Sequence, residues 1–97
     1  MRTYRLLRVA ERELQESAQF YSQERPSLGD RLLTDFGTVM ERLVLYPKSG
    51  TLVVRRIRVA RLSDFPYNVI YKIEPGAILV IAVAHQSREF GYWRDRL

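Results

Sequence analysis

The chain has no cysteine among its 97 residues, which excludes disulfides and thiolate metal sites. It has one histidine, His85, too few nitrogen ligands for a zinc site, and no metal or other cofactor is expected. Lysine is nearly missing as well. Of 16 basic residues only Lys48 and Lys72 are lysine, which leaves 14 arginines. No apolar run approaches the roughly 18 residues that a membrane-spanning helix needs. The opening Met1-Arg2-Thr3-Tyr4-Arg5-Leu6 lacks the apolar stretch of a secretory signal, so the expected location is the cytoplasm. There is no glycine-rich phosphate loop, repeat, linker or low-complexity segment. Ser87 lies beside His85, but no orienting acid stands at a matching spacing, so a hydrolase triad is rejected.

The residues that are present describe one domain over residues 1–97, with an apolar fraction of 46% that is ordinary for a globular chain. The formal net charge is +5 and the pI about 10.0. An arginine guanidinium binds carboxylate or phosphate through two parallel hydrogen bonds, so the bias suits an acidic partner, protein or nucleic acid. A codon bias toward arginine would raise the count too, but it does not explain the clustering.

Hydropathy patterning gives the order of elements. Tyr4 to Val9 reads as a short strand. Ala10, Leu14, Ala18 and Tyr21 share one helical face, and Glu24-Arg25-Pro26-Ser27 ends that helix because proline disfavours helical geometry in the residue before it. Leu28, Leu32, Phe36, Val39, Met40 and Leu43 form the face of a second helix, stopped by Tyr46-Pro47. After the turn Lys48-Ser49-Gly50-Thr51 the period changes to two. Leu52 to Leu62, Tyr67 to Ile73 and Ala77 to Ala84 read as three strands of an antiparallel meander. Ala77 to Ala84 is apolar on both faces, which places it centrally. Tyr92 to Arg96 reads as one closing turn of helix. The expected class is α+β: an N-terminal strand, a two-helix hairpin and a three-stranded meander, with the helices on one sheet face and the other partly open.

Candidate binding residues fall in two places. Arg55, Arg56, Arg58 and Arg61 crowd the first meander strand, and strand alternation would point Arg56 and Arg58 together, opposite Ile57 and Val59. They form either a solvated face bridged to carboxylates on neighbouring strands or a partner surface. The second place follows the central strand: His85, Arg88, Tyr92, Trp93, Arg94 and Arg96. There His85 either caps a hydrogen-bond network or, with Tyr92, moves protons in RNA cleavage while Arg61 and Arg88 hold the phosphate. Trp93 is read as packed under the sheet end.

Several of these residues stand together in an ordered set. Ala10-x-x-Glu13-Leu14 and Phe20-Tyr21 are followed by Pro26-x-Leu28-Gly29, then Tyr46-Pro47-x-x-Gly50 and Arg56-x-Arg58. Phe65-Pro66-Tyr67-x-Val69-x-Tyr71 leads to Ile81-Ala82-Val83-Ala84-His85-x-x-Arg88 and Tyr92-Trp93-x-x-Arg96. Over nearly its whole length the chain resembles the ParE branch of the RelE/ParE toxin superfamily, the toxins of type II toxin–antitoxin and plasmid-stabilisation modules. The resemblance implies the fold just described and a cognate antitoxin, ParD-like or another small repressor. Its acidic, amphipathic tail would fold over the helices and sheet edge in a hetero-oligomer. It also implies poisoning of DNA gyrase as the lead activity, with Arg56, Arg58, Arg61, Arg88 and Tyr92 to Arg96 as contact surface. The alternative is ribosome-dependent mRNA cleavage of the RelE type, with His85, Arg88, Tyr92 and Arg61 as catalytic groups. The RelE branch carries lysines as well as arginines in its middle strands, whereas Leu52 to Leu62 has arginine alone. A third reading is a non-toxic member that only binds its antitoxin.

Overall fold

Pro26 divides the helical half of the chain in two. The computed structural model describes residues 3–97. In it α1 spans Arg8–Glu24 and α2 spans Pro26–Leu45, with Arg25 alone between them in extended geometry at φ −152°. Proline forces that geometry on its predecessor and is itself well placed as the first residue of α2. The helices close tightly because residue 29 is glycine. A Cβ there would lie 2.0 Å from Ser22 Oγ and 2.5 Å from the Ala18 carbonyl oxygen. Ala10, Leu14 and Ala18 from α1, with Leu32, Phe36, Val39, Met40 and Leu43 from α2, are buried together.

The sheet has five strands: β1 (Thr3–Leu6), β2 (Thr51–Val54), β3 (Ile57–Arg61), β4 (Tyr67–Glu74) and β5 (Ala77–His85). Their spatial order is β1-β5-β4-β3-β2. The meander β2 to β5 is antiparallel throughout, and β1 lies parallel to β5, with Thr3 opposite Ala77. Two expectations are corrected here. Leu52 to Leu62 is not one strand, because a two-residue turn at Arg55-Arg56 folds it back, so the meander has four strands rather than three. Val9 belongs to α1, and the first strand ends at Leu6.

β5 is buried on both faces, as its composition predicts. Its alternation is reset once. Ile70 pairs with Ala82 but Tyr71 pairs with Val80, so Ile81 is an extra residue, a β-bulge. Before it Ile78 and Val80 face the helices; after it Val83 does. Leu79, Ile81, Ala82 and Ala84 face the opposite side with Ile57 and Ile70. That second face is not left open. The segment after β5 folds across it and buries Trp93 to 1% exposure on this apolar surface. The expected closing turn is a short 3₁₀ helix at Arg94–Arg96.

Two tethers fix the loops. The Tyr71 hydroxyl donates to the Pro47 carbonyl at 2.7 Å and accepts from the Gly50 N–H at 3.1 Å. A Cβ at Gly50 would lie 2.4 Å from that hydroxyl, which explains the glycine three residues after Pro47. Asp35, buried in α2, accepts the backbone N–H groups of Ser63 and Asp64 at 3.1 and 2.8 Å and anchors the β3–β4 loop.

Candidate functional site

The C-terminal segment is held by one side chain of α1. Glu13 lies on the helix turn that passes over β5, with its carboxylate largely enclosed. It accepts the Val83 N–H at 3.1 Å, the Tyr92 hydroxyl at 2.7 Å, and Arg96 Nη1 and Nη2 at 2.8 and 2.9 Å. Arg96 Nη1 also donates to the Ile81 carbonyl at 3.1 Å. A fork-on-fork arginine–carboxylate pair of this kind gains strength from its partial burial, provided its hydrogen bonds are complete. Burial alone would push the Glu13 carboxyl up. The hydrogen bonds from Arg96, Tyr92 and Val83, with the Arg96 charge, outweigh it and hold the group below its usual range. Burial and the Glu13 carboxylate push the Tyr92 hydroxyl the other way, up to about 12.

Above this clamp the Arg88 guanidinium stacks on the Tyr92 ring, 3.8 Å from its centre. Arg88 and His85 border an open cleft of about 240 Å³ that is also lined by Glu13, Glu16, Phe20 and Tyr67. His85 stands edge-on to Tyr67, and its Nδ1 receives the Ser87 N–H at 3.0 Å with Ser87 Oγ at 2.8 Å. An accepting Nδ1 leaves the ring proton on Nε2. Here the histidine does take part in a local hydrogen-bond network at its strand end.

The structure therefore separates the residues singled out in sequence. His85, Arg88, Tyr92, Trp93 and Arg96 are gathered at one end of β5. Trp93 faces the sheet, while Arg96 and Tyr92 are bound to Glu13. Arg94 is exposed on the last turn. Arg61 is exposed at the end of β3, where Gln86, with its amide oxygen turned toward the guanidinium, accepts from Nε at 3.1 Å and Nη2 at 2.8 Å. Arg58 lies in β3 opposite Ile57 and Val59, as alternation predicts, and donates to the carbonyls of Gly50 at 2.9 Å and Lys48 at 3.2 Å. Arg56 does not share its face by strand alternation, because it sits with Arg55 in the β2–β3 turn. Neither Arg55 nor Arg56 has a carboxylate partner among the described residues, where the ion pairs are Arg5–Glu74, Lys72–Glu74 and Arg96–Glu13.

Sequence reading passed over two residues as chemistry, Glu13 and Asp35. Both are acids on otherwise amphipathic helices, where the ordinary reading is a solvated face. The available signal for Glu13 was its pairing, across almost the whole chain, with the Tyr92-Trp93-x-x-Arg96 ending. Among the described residues no cluster of three or more histidine, cysteine, aspartate or glutamate side chains could hold a metal ion. No helix among them is long and apolar enough to cross a membrane.

Of the comparisons with known proteins, one shows a family and one a fold. No curated relative matches the chain. A solved structure titled "Chromosomal ParDE TA system from P. aeruginosa" shares the fold with a TM-score of 0.73 at 17% identity, over 88% of this chain and 95% of that one. The family described as ParE toxin of type II toxin-antitoxin system, parDE, matches residues 4–90. With that match running from the first strand past the end of β5, the chain belongs to the ParE toxin family of type II toxin–antitoxin systems.

Proposed function

We propose that the protein is a growth-inhibiting toxin that acts by binding rather than by cutting RNA, with DNA gyrase as its target and a cognate antitoxin, ParD-like or another small repressor, as its neutralising partner. The observation that carries the choice between binding and cleavage is the Tyr92 hydroxyl. It donates to Glu13 at 2.7 Å, and its pKa is pushed up to about 12, so near neutral pH it stays protonated and bonded to Glu13 rather than standing as a phenolate that could take a proton. His85 uses Nδ1 within its own turn, and Arg61 is engaged by Gln86. Of the four groups that a nuclease would need, Tyr92, His85 and Arg61 thus have hydrogen-bond partners within the fold, and Arg88 stacks on Tyr92.

Arg56, Arg61, Arg88 and Arg94 are the exposed members of the proposed contact surface; of its other members Arg58, Tyr92 and Arg96 are half-buried and Trp93 is buried. The antitoxin reading is supported by charge and by exposed apolar groups. Phe20, Leu45, Tyr46, Leu52 and Val53 remain exposed on a chain of net charge +5, which suits an acidic amphipathic tail in a hetero-oligomer.

The test is induced expression in a bacterial host, with gyrase-linked DNA breaks and codon-phased mRNA cuts scored side by side for the wild type and Tyr92→Phe. Trapped gyrase–DNA complexes in both proteins support the proposal. Phased mRNA cuts that vanish in Tyr92→Phe, while the far-UV circular dichroism is kept, would make the protein an endonuclease. Growth without arrest, alongside tight antitoxin binding, would make it a binding module only.

A further inference from the structure

The β2–β3 turn breaks a local rule. Two-residue hairpin turns favour glycine, asparagine or aspartate, because one or both central residues take positive φ. Here the two residues are Arg55 and Arg56, and Arg55 adopts φ +44°. A left-handed conformation costs a residue with a Cβ about 1 kcal/mol or more. The pairing of β2 with β3 across the turn, with Val54 opposite Ile57, requires it, but glycine would meet the same need at less cost, and neither guanidinium has a carboxylate partner among the described residues. Arginine kept at an exposed turn position where glycine would be less strained, with no carboxylate partner among the described residues, points to a binding role.

The surroundings are basic on both sides of the ribbon. One depression, of about 520 Å³, is lined by Arg55, Arg56, Ile57, Lys72 and Leu97. The other, of about 350 Å³, is lined by Lys48, Leu52, Arg55, Arg56, Arg58 and Ile73. No acidic side chain lines either one. Both lysines of the chain are here, and the nearest neutralising contact is Glu74, 3.8 Å from Lys72 Nζ. Arg58 donates to backbone carbonyls, so its position is fixed while its charge remains uncompensated.

We propose that this hairpin is a sequence-independent binding surface for the phosphate backbone of duplex DNA, and the assignment stands whether or not gyrase is the target. Guanidiniums flanked by shallow cationic depressions match a row of phosphates, which attract them without any base contact. A single-stranded ligand would call for exposed aromatic rings on which bases stack, and no aromatic side chain lines either depression. An acidic amphipathic peptide would call for a continuous apolar floor. Each depression instead offers two apolar side chains against at least three cations.

The experiment is fluorescence anisotropy of the full chain with a labelled mixed-sequence duplex, titrated between about 50 and about 200 mM salt. Engagement of Lys48, Arg55, Arg56 and Lys72 predicts a log–log salt slope of about −4, and removal of two of these contacts moves it by about 2 toward zero. The informative variant is R55G/R56Q, because glycine relieves the turn and lost binding cannot then be put down to unfolding. The expected result is binding weakened by about tenfold with the flattened slope. A control, R8Q/R12Q, removes the same charge from exposed positions of α1 and should leave the slope nearly unchanged. Equal weakening in the control would reduce the effect to net charge and overturn the proposal. So would binding of a polyglutamate peptide through Arg55 and Arg56 with no binding of the duplex. No gyrase is present, so failure here and failure of the target assignment are read separately.

Discussion

Arg96 and Arg56 carry the same side chain in opposite circumstances. Arg96 meets the Glu13 carboxylate at 2.8 and 2.9 Å and is part of how the chain closes on itself. Arg56 sits on a strained turn with no carboxylate partner among the described residues. In sequence both look like members of an arginine-rich surface. The difference lies in the partner, not in the cation. An arginine opposite a buried acid is part of the fold, whereas one without such a partner is available to something outside it. Removing each group in turn tests the contrast, because the C-terminal changes should cost several times more stability than any change in the hairpin.

The largest effect is expected at Trp93. It is 1% exposed and covers Ile57, Ile70, Leu79 and Ile81 on the sheet face away from the helices. Trp93→Ala should cost about 4 kcal/mol, in the range for emptying a buried aromatic site. Urea denaturation followed by circular dichroism measures it. A loss under about 1 kcal/mol would mean that the C-terminal segment is not part of the cooperative fold.

Glu13→Gln comes next. It leaves Arg96 partly buried with a weaker acceptor, and breaking such a pair from one side costs about 3 kcal/mol. Arg96→Met in the same background should recover part of the loss, because it removes the stranded charge. If Arg56→Gln destabilised the protein as much as Glu13→Gln does, the contrast between the two arginine groups would collapse.

Acid titration reads the same clamp without a mutation. The Glu13 carboxyl is held below its ordinary value of 4.5 in the folded state. Its contribution is therefore fully present above that ordinary value and is lost as pH falls through the lower, folded one. The acid limb of the stability curve should be steeper in the wild type than in Glu13→Gln. Parallel limbs would show that the carboxyl is not linked to folding.

How far this was legible in sequence varies with the range of the interaction. The helices were readable because their apolar faces repeat locally and Pro26 and Pro47 mark their ends. β5 was readable because a strand apolar on both faces must be central. The Arg55-Arg56 turn was not, since neither residue has the chemistry that normally announces a hairpin, and period-two alternation runs straight through it. The parallel pairing of β1 with β5 joins Thr3 to Ala77 and leaves no local mark. Of the C-terminal candidates, sequence supplied the right group of residues but not the division of labour within it. That division depends on Glu13, which is some 80 residues away and looks like any other acid on a helix.

The smallest expected effect has the opposite sign. At Arg55 the positive φ costs a side chain with a Cβ about 1 kcal/mol or more. Glycine removes that strain but adds about 0.5 kcal/mol of unfolded-state entropy to overcome. Arg55→Gly should therefore stabilise the protein by about 0.5 kcal/mol, seen as a small rise in the urea midpoint at unchanged slope. Arg56 is not among the residues with positive φ, so glycine there gains only the entropy cost and should destabilise by about 0.5 kcal/mol. Adjacent identical residues moving in opposite directions under the same substitution would place the strain in the backbone of residue 55. The same sign at both positions would mean that repulsion between the two guanidiniums, not φ, sets the energy of the turn.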